Sequence, residues 1–212
     1  MKIANVKVYD LEESVVASGY PMRVDLSQTQ KDITLLNLYK TTPELLNADE
    51  ITKAEKHISR AKSLLSCGGA SGHPQMGTGI RIAFDLTCTN KMWVEMERYR
   101  FVEFVSSQST MHRIAKMDFK DTCNEYVTDA TISEINRLKE IYLKTGDKEN
   151  YLRLLYNAPS GLELTARLTT NYRELKTIYY QRRDHRLPEW REFCKWIETL
   201  PYAKEFICNK EG

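Results

Sequence analysis

Four stretches of this 212-residue chain carry side chains whose chemistry goes beyond packing. In the first, Ser71-Gly72-His73 sits in a segment with five glycines, Gly68, Gly69, Gly72, Gly77 and Gly79. Glycine lets a backbone approach a ligand closely, and a histidine there can hydrogen-bond a phosphate or a ring. The spacing is neither that of a P-loop nor that of a dinucleotide fingerprint, and an ordinary solvated loop has the same composition. Next comes Glu95-Met96-Glu97-Arg98-Tyr99-Arg100, where two guanidiniums flanked by aromatics can grip phosphate oxygens. A charged helix end looks the same. Ser106-Ser107-Gln108-Ser109 and His112-Arg113 then offer hydroxyls, an amide and a cation suited to a nucleotide's sugar and phosphate, or to a polar turn. The last is Asn171, Arg173, Thr177, Arg182, Arg183, His185 and Arg186. On a helix, 171, 175, 178 and 182 share a face, so Leu175 and Ile178 fall between polar groups, which is unusual for a plain core helix.

Helical and strand periodicities supply the frame. Ile51, Ala54, Ile58, Ala61 and Leu65 predict a helix over 49–66, followed by the glycine-rich loop. Residues 80–86 alternate as a strand with one face on the core. A helix is expected over 91–100, and another from Thr131, where Thr131-Ile132-Ser133-Glu134 fits a capping box. Residues 164–183 read as one long helix, and Pro188 opens a last helix through Leu200. The first thirty residues are expected to be strand and loop. The fold class is α+β, one domain over 1–212.

Composition removes several function classes. The chain has 31 Lys+Arg against 29 Asp+Glu, a net charge of +2, which speaks against a nucleic-acid coat or a polybasic membrane binder. No stretch has membrane-spanning length and the start lacks a signal-peptide core, so a cytoplasmic protein is expected. The five cysteines, Cys67, Cys88, Cys123, Cys194 and Cys208, include no C-x-x-C pair and are read as free thiols. His57, His73, His112 and His185 are scattered, and no metal site is expected.

The order of the pieces resembles the flavin-dependent thymidylate synthases: a Ser-Gly-His loop, a strand, an R-x-R element, a Ser-rich stretch and a late helix carrying N-x-R and a downstream Arg. Arg98-Tyr99-Arg100 stands where that family has R-H-R. Asn171, Arg173, Thr177 and Arg182 match its N-x-R-x-x-x-N/H-x-x-x-x-R without a gap, and Asp184-His185-Arg186 with Trp190 is similar to its D-x-H-A-Q-W with one extra residue. The resemblance spans roughly residues 68 to 193. Tyr99 replaces the family's middle His, Glu103 stands where it has Ser, and the Glu-His after Ser-Gly-His is missing.

The resemblance implies a sheet packed against long helices in a homotetramer whose active sites draw on more than one subunit. It implies FAD as cofactor, methylenetetrahydrofolate and NADPH as co-substrates, and C5 methylation of dUMP to dTMP. Arg182 would be catalytic, stabilising charge on the pyrimidine. Glu95, Gln108, Ser109 and Arg113 would join Arg182 in binding the nucleotide; His73, Arg98, Arg100, Asn171, Arg173 and Thr177 would hold FAD. Neither nucleic acid nor membrane is a partner in this reading. Tyr99 and Glu103 leave other readings open: hydroxymethylation of dUMP or dCMP, a flavin- or nucleotide-binding homologue without turnover, and a helical module whose basic helix meets an acidic partner.

Overall fold

The structure, a computed structural model, describes residues 1–67 and 71–209; Gly68 and Gly69 of the glycine-rich loop lie outside the described residues. In chain order the elements are β1 (Lys2–Tyr9), α1 (Leu11–Ala17), α2 (Thr29–Thr41), α3 (Ala48–Leu65), β2 (Arg81–Thr89), α4 (Asn90–Met96), β3 (Glu103–Ser107) and α5 (Thr110–Arg113). They continue with α6 (Phe119–Thr122), α7 (Asp129–Thr145), α8 (Lys148–Tyr156), β4 (Glu163–Asn171), α9 (Tyr172–Arg182), α10 (Pro188–Ile197) and α11 (Ala203–Phe206). The α+β class expected from the sequence is what forms, with the strands in one sheet of order β1-β2-β4-β3.

Four local expectations are corrected. Residues 163–171 form a strand, not the front of a long helix. Buried Ala166, Leu168 and Thr170 alternate with half-buried Thr165, Arg167 and Thr169, a period of two that β-branched threonines favour. The helix expected from Thr131 starts at Asp129, because Thr128 is the cap and accepts from the Thr131 amide at 3.3 Å. Glu134, needed for the capping box, instead pairs with Arg137 at 2.7 Å. The helix expected over 91–100 ends at Met96, since Tyr99 turns into the core and leaves Arg98 and Arg100 on an exposed turn. Residues 11–17, expected as strand or loop, are helical with Leu11, Val15 and Val16 buried on one side.

The chain divides into two units, one of residues 1–6, 83–169 and 187–189, the other of 7–82, 170–186 and 190–212. In the first, β3 runs antiparallel to β4, pairing Glu103 with Thr169 and Ser107 with Ala166, with an irregularity between Phe104 and Ser106. Trp93 on α4 donates its indole N–H to the Leu164 carbonyl at 3.2 Å and packs on Phe104 with ring centroids 5.2 Å apart, fixing α4 beside β3 and β4. The buried Glu189 carboxylate accepts from the Thr89 amide (2.9 Å) and hydroxyl (2.7 Å) at the N-terminus of α4, where a negative charge is favoured. A separate apolar cluster, Ile114, Met117, Phe119, Ile135, Leu154 and Leu162, joins α7 and α8 to the segments before them.

The second unit is helical. Leu36, Ala54, Ala61, Leu65, Leu175, Ile178, Trp190 and Phe193 are buried within it. Lys176, buried on α9, donates to the Leu65 carbonyl at the end of α3, satisfying an acceptor that the helix leaves open. Asp32, 1% exposed, lies between Arg23 (2.6 Å) and Lys53 (2.6 Å), with His57 Nε2 at 3.6 Å. Arg60 donates to His57 Nδ1 at 2.9 Å, so the imidazole proton sits on Nε2, facing Asp32.

Burial, then the Arg60 charge, hold His57 below the usual imidazole value. The unfolded chain therefore takes up a proton that the folded chain resists, and stability falls as pH drops through about 6.5. Thermal melts from pH 7.5 to 5 should show this loss, with a shallower slope in His57→Gln. Equal slopes in both proteins would remove His57 as the cause.

Candidate active site

The residues singled out from the sequence fall into one set in each unit. In the second unit, the glycine-rich segment winds into a 3-10 turn, His73–Thr78, with Pro74 in its first turn. His73 is exposed and lines a cavity of about 450 Å³ with Ser14, Ser18, Gln75, Met76 and Thr78. Arg173, in the first turn of α9, donates to the Gln75 side-chain oxygen and so joins this turn to α9. Gly77 permits the approach. A Cβ there would lie 3.0 Å from a Leu65 methyl and 3.3 Å from the Arg173 backbone nitrogen.

Asn171 is the cap of α9. Its side-chain oxygen accepts from the Glu174 amide at 2.9 Å, which leaves the NH₂ group as its route to a ligand. Thr177 is exposed and returns its hydroxyl to the Arg173 carbonyl at 3.3 Å. Asn171, Arg173 and Thr177 thus share the first two turns with the cavity's turn beside them. Arg182 ends α9, about 13 Å along its axis from Arg173 at ~1.5 Å per residue. Its guanidinium lies over the buried Trp190 ring, 4.7 Å from the centroid, and one amino group is 2.8 Å from His185 Nε2.

In the first unit, half-buried Glu95 pairs with Lys91 at 3.0 Å on α4. Arg98 and Arg100 are exposed on the turn that follows, Arg100 over the Phe101 ring at 5.8 Å. Gln108 continues β3 beside β4: its amide N–H reaches the Thr165 carbonyl (2.9 Å), and its side-chain oxygen accepts from the Thr165 amide (3.2 Å). That oxygen is committed to the sheet, leaving its NH₂ group for a ligand. Ser109, half-buried, stands at the start of α5 with no cap bond, and Arg113, exposed, ends that helix.

Four of the five thiols, Cys88, Cys123, Cys194 and Cys208, are poor nucleophiles. Burial raises Cys88 and Cys123, each further raised by nearby carboxylates. Burial with Glu198 nearby pushes Cys194 to about 12. Cys208 reaches about 11, also first through burial. Of the residues singled out, His73 lines the 450 Å³ cavity of the second unit, and Arg173 is bonded to Gln75 in its wall.

No family model and no curated protein matches this sequence. Solved structures do. One is a flavin-dependent thymidylate synthase ThyX from Helicobacter pylori complexed with FAD and dUMP, 13% identical, with a TM-score of 0.68 over 98% of this chain and 97% of that one. Another Helicobacter pylori ThyX structure with FAD and dUMP gives 0.67 at the same identity and coverage. The fold is that of the flavin-dependent thymidylate synthases. The likeness runs over nearly the whole length of both chains, and the α+β frame is the ThyX frame.

Sequence reasoning missed Gln75, Met76, Ser14 and Ser18 as cavity residues, and the place of Trp190 under Arg182. Gln75 could have been suspected two residues after His73. Nothing in the spacing singles out Ser14 or Ser18.

Proposed function

We propose that this protein is a flavin-dependent enzyme that replaces the C5 proton of dUMP by a methyl group, giving dTMP. The observation that carries the reading is the end-to-end likeness to ThyX chains solved with FAD and dUMP, reinforced by the spacing of Asn171, Arg173, Thr177 and Arg182 along α9 and its cap. The residues fit a flavin: the 450 Å³ cavity is within the range of ligand pockets, mixes apolar Ala17, Pro21 and Leu64 with hydrogen-bonding side chains, and adjoins Arg173. When bound, reduced FAD supplies the hydride that, with the methylene of methylenetetrahydrofolate, completes the methyl group, NADPH restoring the reductant.

His73, Arg173, Asn171 and Thr177 would hold the flavin, with Arg98 and Arg100 on its phosphates. Glu95, Gln108, Ser109 and Arg113 would bind the sugar, phosphate and base edge of dUMP. Arg182 would face the pyrimidine carbonyl edge, where negative charge develops, and stabilise it without losing a proton. The raised thiols favour a route needing no cysteine nucleophile. In this reading the working form is a homotetramer in the cytoplasm, and several copies contribute to each site.

The purified protein should show flavin absorption bands that survive gel filtration after FAD is added. With methylenetetrahydrofolate and NADPH it should release tritium from C5-labelled dUMP. A colourless protein that releases none sinks the proposal. Tyr99, buried where the family has His, and Glu103 favour a second reading, in which water captures the methylene-bearing carbon of dUMP or dCMP. Product mass decides between them, a gain of methyl against a gain of hydroxymethyl.

A further inference from the structure

We infer that His185 and Trp190 are positioning residues for Arg182, a role that rests on the functional reading above. Arg182 is the last residue of α9, where a long side chain with many rotamers would ordinarily wander. Among its contacts, two of different kinds restrict it. The Trp190 face, buried, lies 4.7 Å from the guanidinium carbon and sets the plane of the group by cation–π attraction. His185 Nε2 lies 2.8 Å from Nη1 and sets the rotation within that plane. A guanidinium only donates, so this ring nitrogen is the acceptor and the imidazole proton sits on Nδ1.

The two partners are themselves held. The His185 amide donates to the Arg182 carbonyl at 3.0 Å, closing the turn beyond α9. Arg191 Nη1 donates to the His185 carbonyl (2.6 Å) and the Arg186 carbonyl (2.9 Å), bracing the turn from α10. Trp190 meets Phe193 edge to face, centroids 5.9 Å apart, and His185 in the same manner at 6.5 Å. The clamp therefore belongs to the α9–α10 corner. Preorganisation of this kind matters most where charge appears only in the transition state, because a donor already in place need not reorganise.

This predicts a loss in kcat larger than any change in KM. In the flavin-loaded protein, His185→Ala should lower kcat for tritium release about tenfold, while KM for dUMP shifts less than about threefold. His185→Gln, which restores an acceptor at similar reach, should recover most of the rate. Flavin retention and melting temperature should match wild type in both. Should His185→Ala fail to fold, His185→Leu, of similar bulk and without an acceptor, takes its place. Equal rates in all variants, or an equal loss in His185→Gln, overturns the inference, as does a loss confined to KM. A wild-type protein that releases no tritium fails the functional reading itself, and the role given to His185 and Trp190 falls with it.

Discussion

Arg182→Ala in the flavin-loaded protein is expected to lower tritium release from C5-labelled dUMP by about 10²–10³ while the flavin stays bound, by analogy with removing one donor from an oxyanion site. The reason lies in what surrounds the group. Arg182 sits on Trp190 and against His185 at the end of α9, whereas the residues assigned to flavin occupy the first turns of that helix and the turn of His73. The substitution thus separates chemistry from cofactor retention. Arg182→Lys should recover little. An ammonium has neither the plane that stacks on the indole nor the fork that meets two acceptors. Losing the stack costs about 0.5–2 kcal/mol, so the melting point should move by only a few degrees. Full turnover in Arg182→Ala would remove the residue from the mechanism.

Asp32→Asn should be among the most destabilising single substitutions in the helical unit. It takes the negative charge from the middle of Arg23, Lys53 and Arg60. Burial alone would raise the Asp32 carboxyl, yet Lys53 and Arg23 outweigh it and hold the group below its ordinary value. Breaking a buried pair by removing one partner costs about 3–5 kcal/mol. The lower end applies, because the Lys53 side chain is 52% exposed and can turn to water. A fall in melting temperature of roughly 6–12 °C is expected for a chain of this length. Lys53→Ala should cost less than about 1 kcal/mol, as an exposed partner does. Similar losses in the two variants would show that the pairing, and not the buried carboxylate, carries the stability.

Local pattern was enough where one stretch holds its own information. The 3.6-residue period and the Asn47 cap define α3, and Pro188 opens α10 as its backbone requires. The fixed interval from Asn171 to Arg182 is helical because Asn171 caps it and Leu175 and Ile178 are buried together. Those residues also carried the family resemblance, so part of the candidate site was legible in the order of residues alone. Residues 164–170 were not. Their side chains tolerate helix or strand, and the choice falls to pairing with β3, about sixty residues upstream.

The sequence by itself determined that this is an α+β protein with a cation-bearing late helix and cysteines in no C-x-x-C pair, because those properties follow from composition and short-range spacing. The tertiary structure decided which groups those cations meet: Arg173 with Gln75, and Arg182 with Trp190 and His185. Such meetings depend on where a turn closes and which ring is buried beneath it. No periodicity records that, since the free energy of a stack or a buried hydrogen bond comes from groups that the chain brings together only on folding.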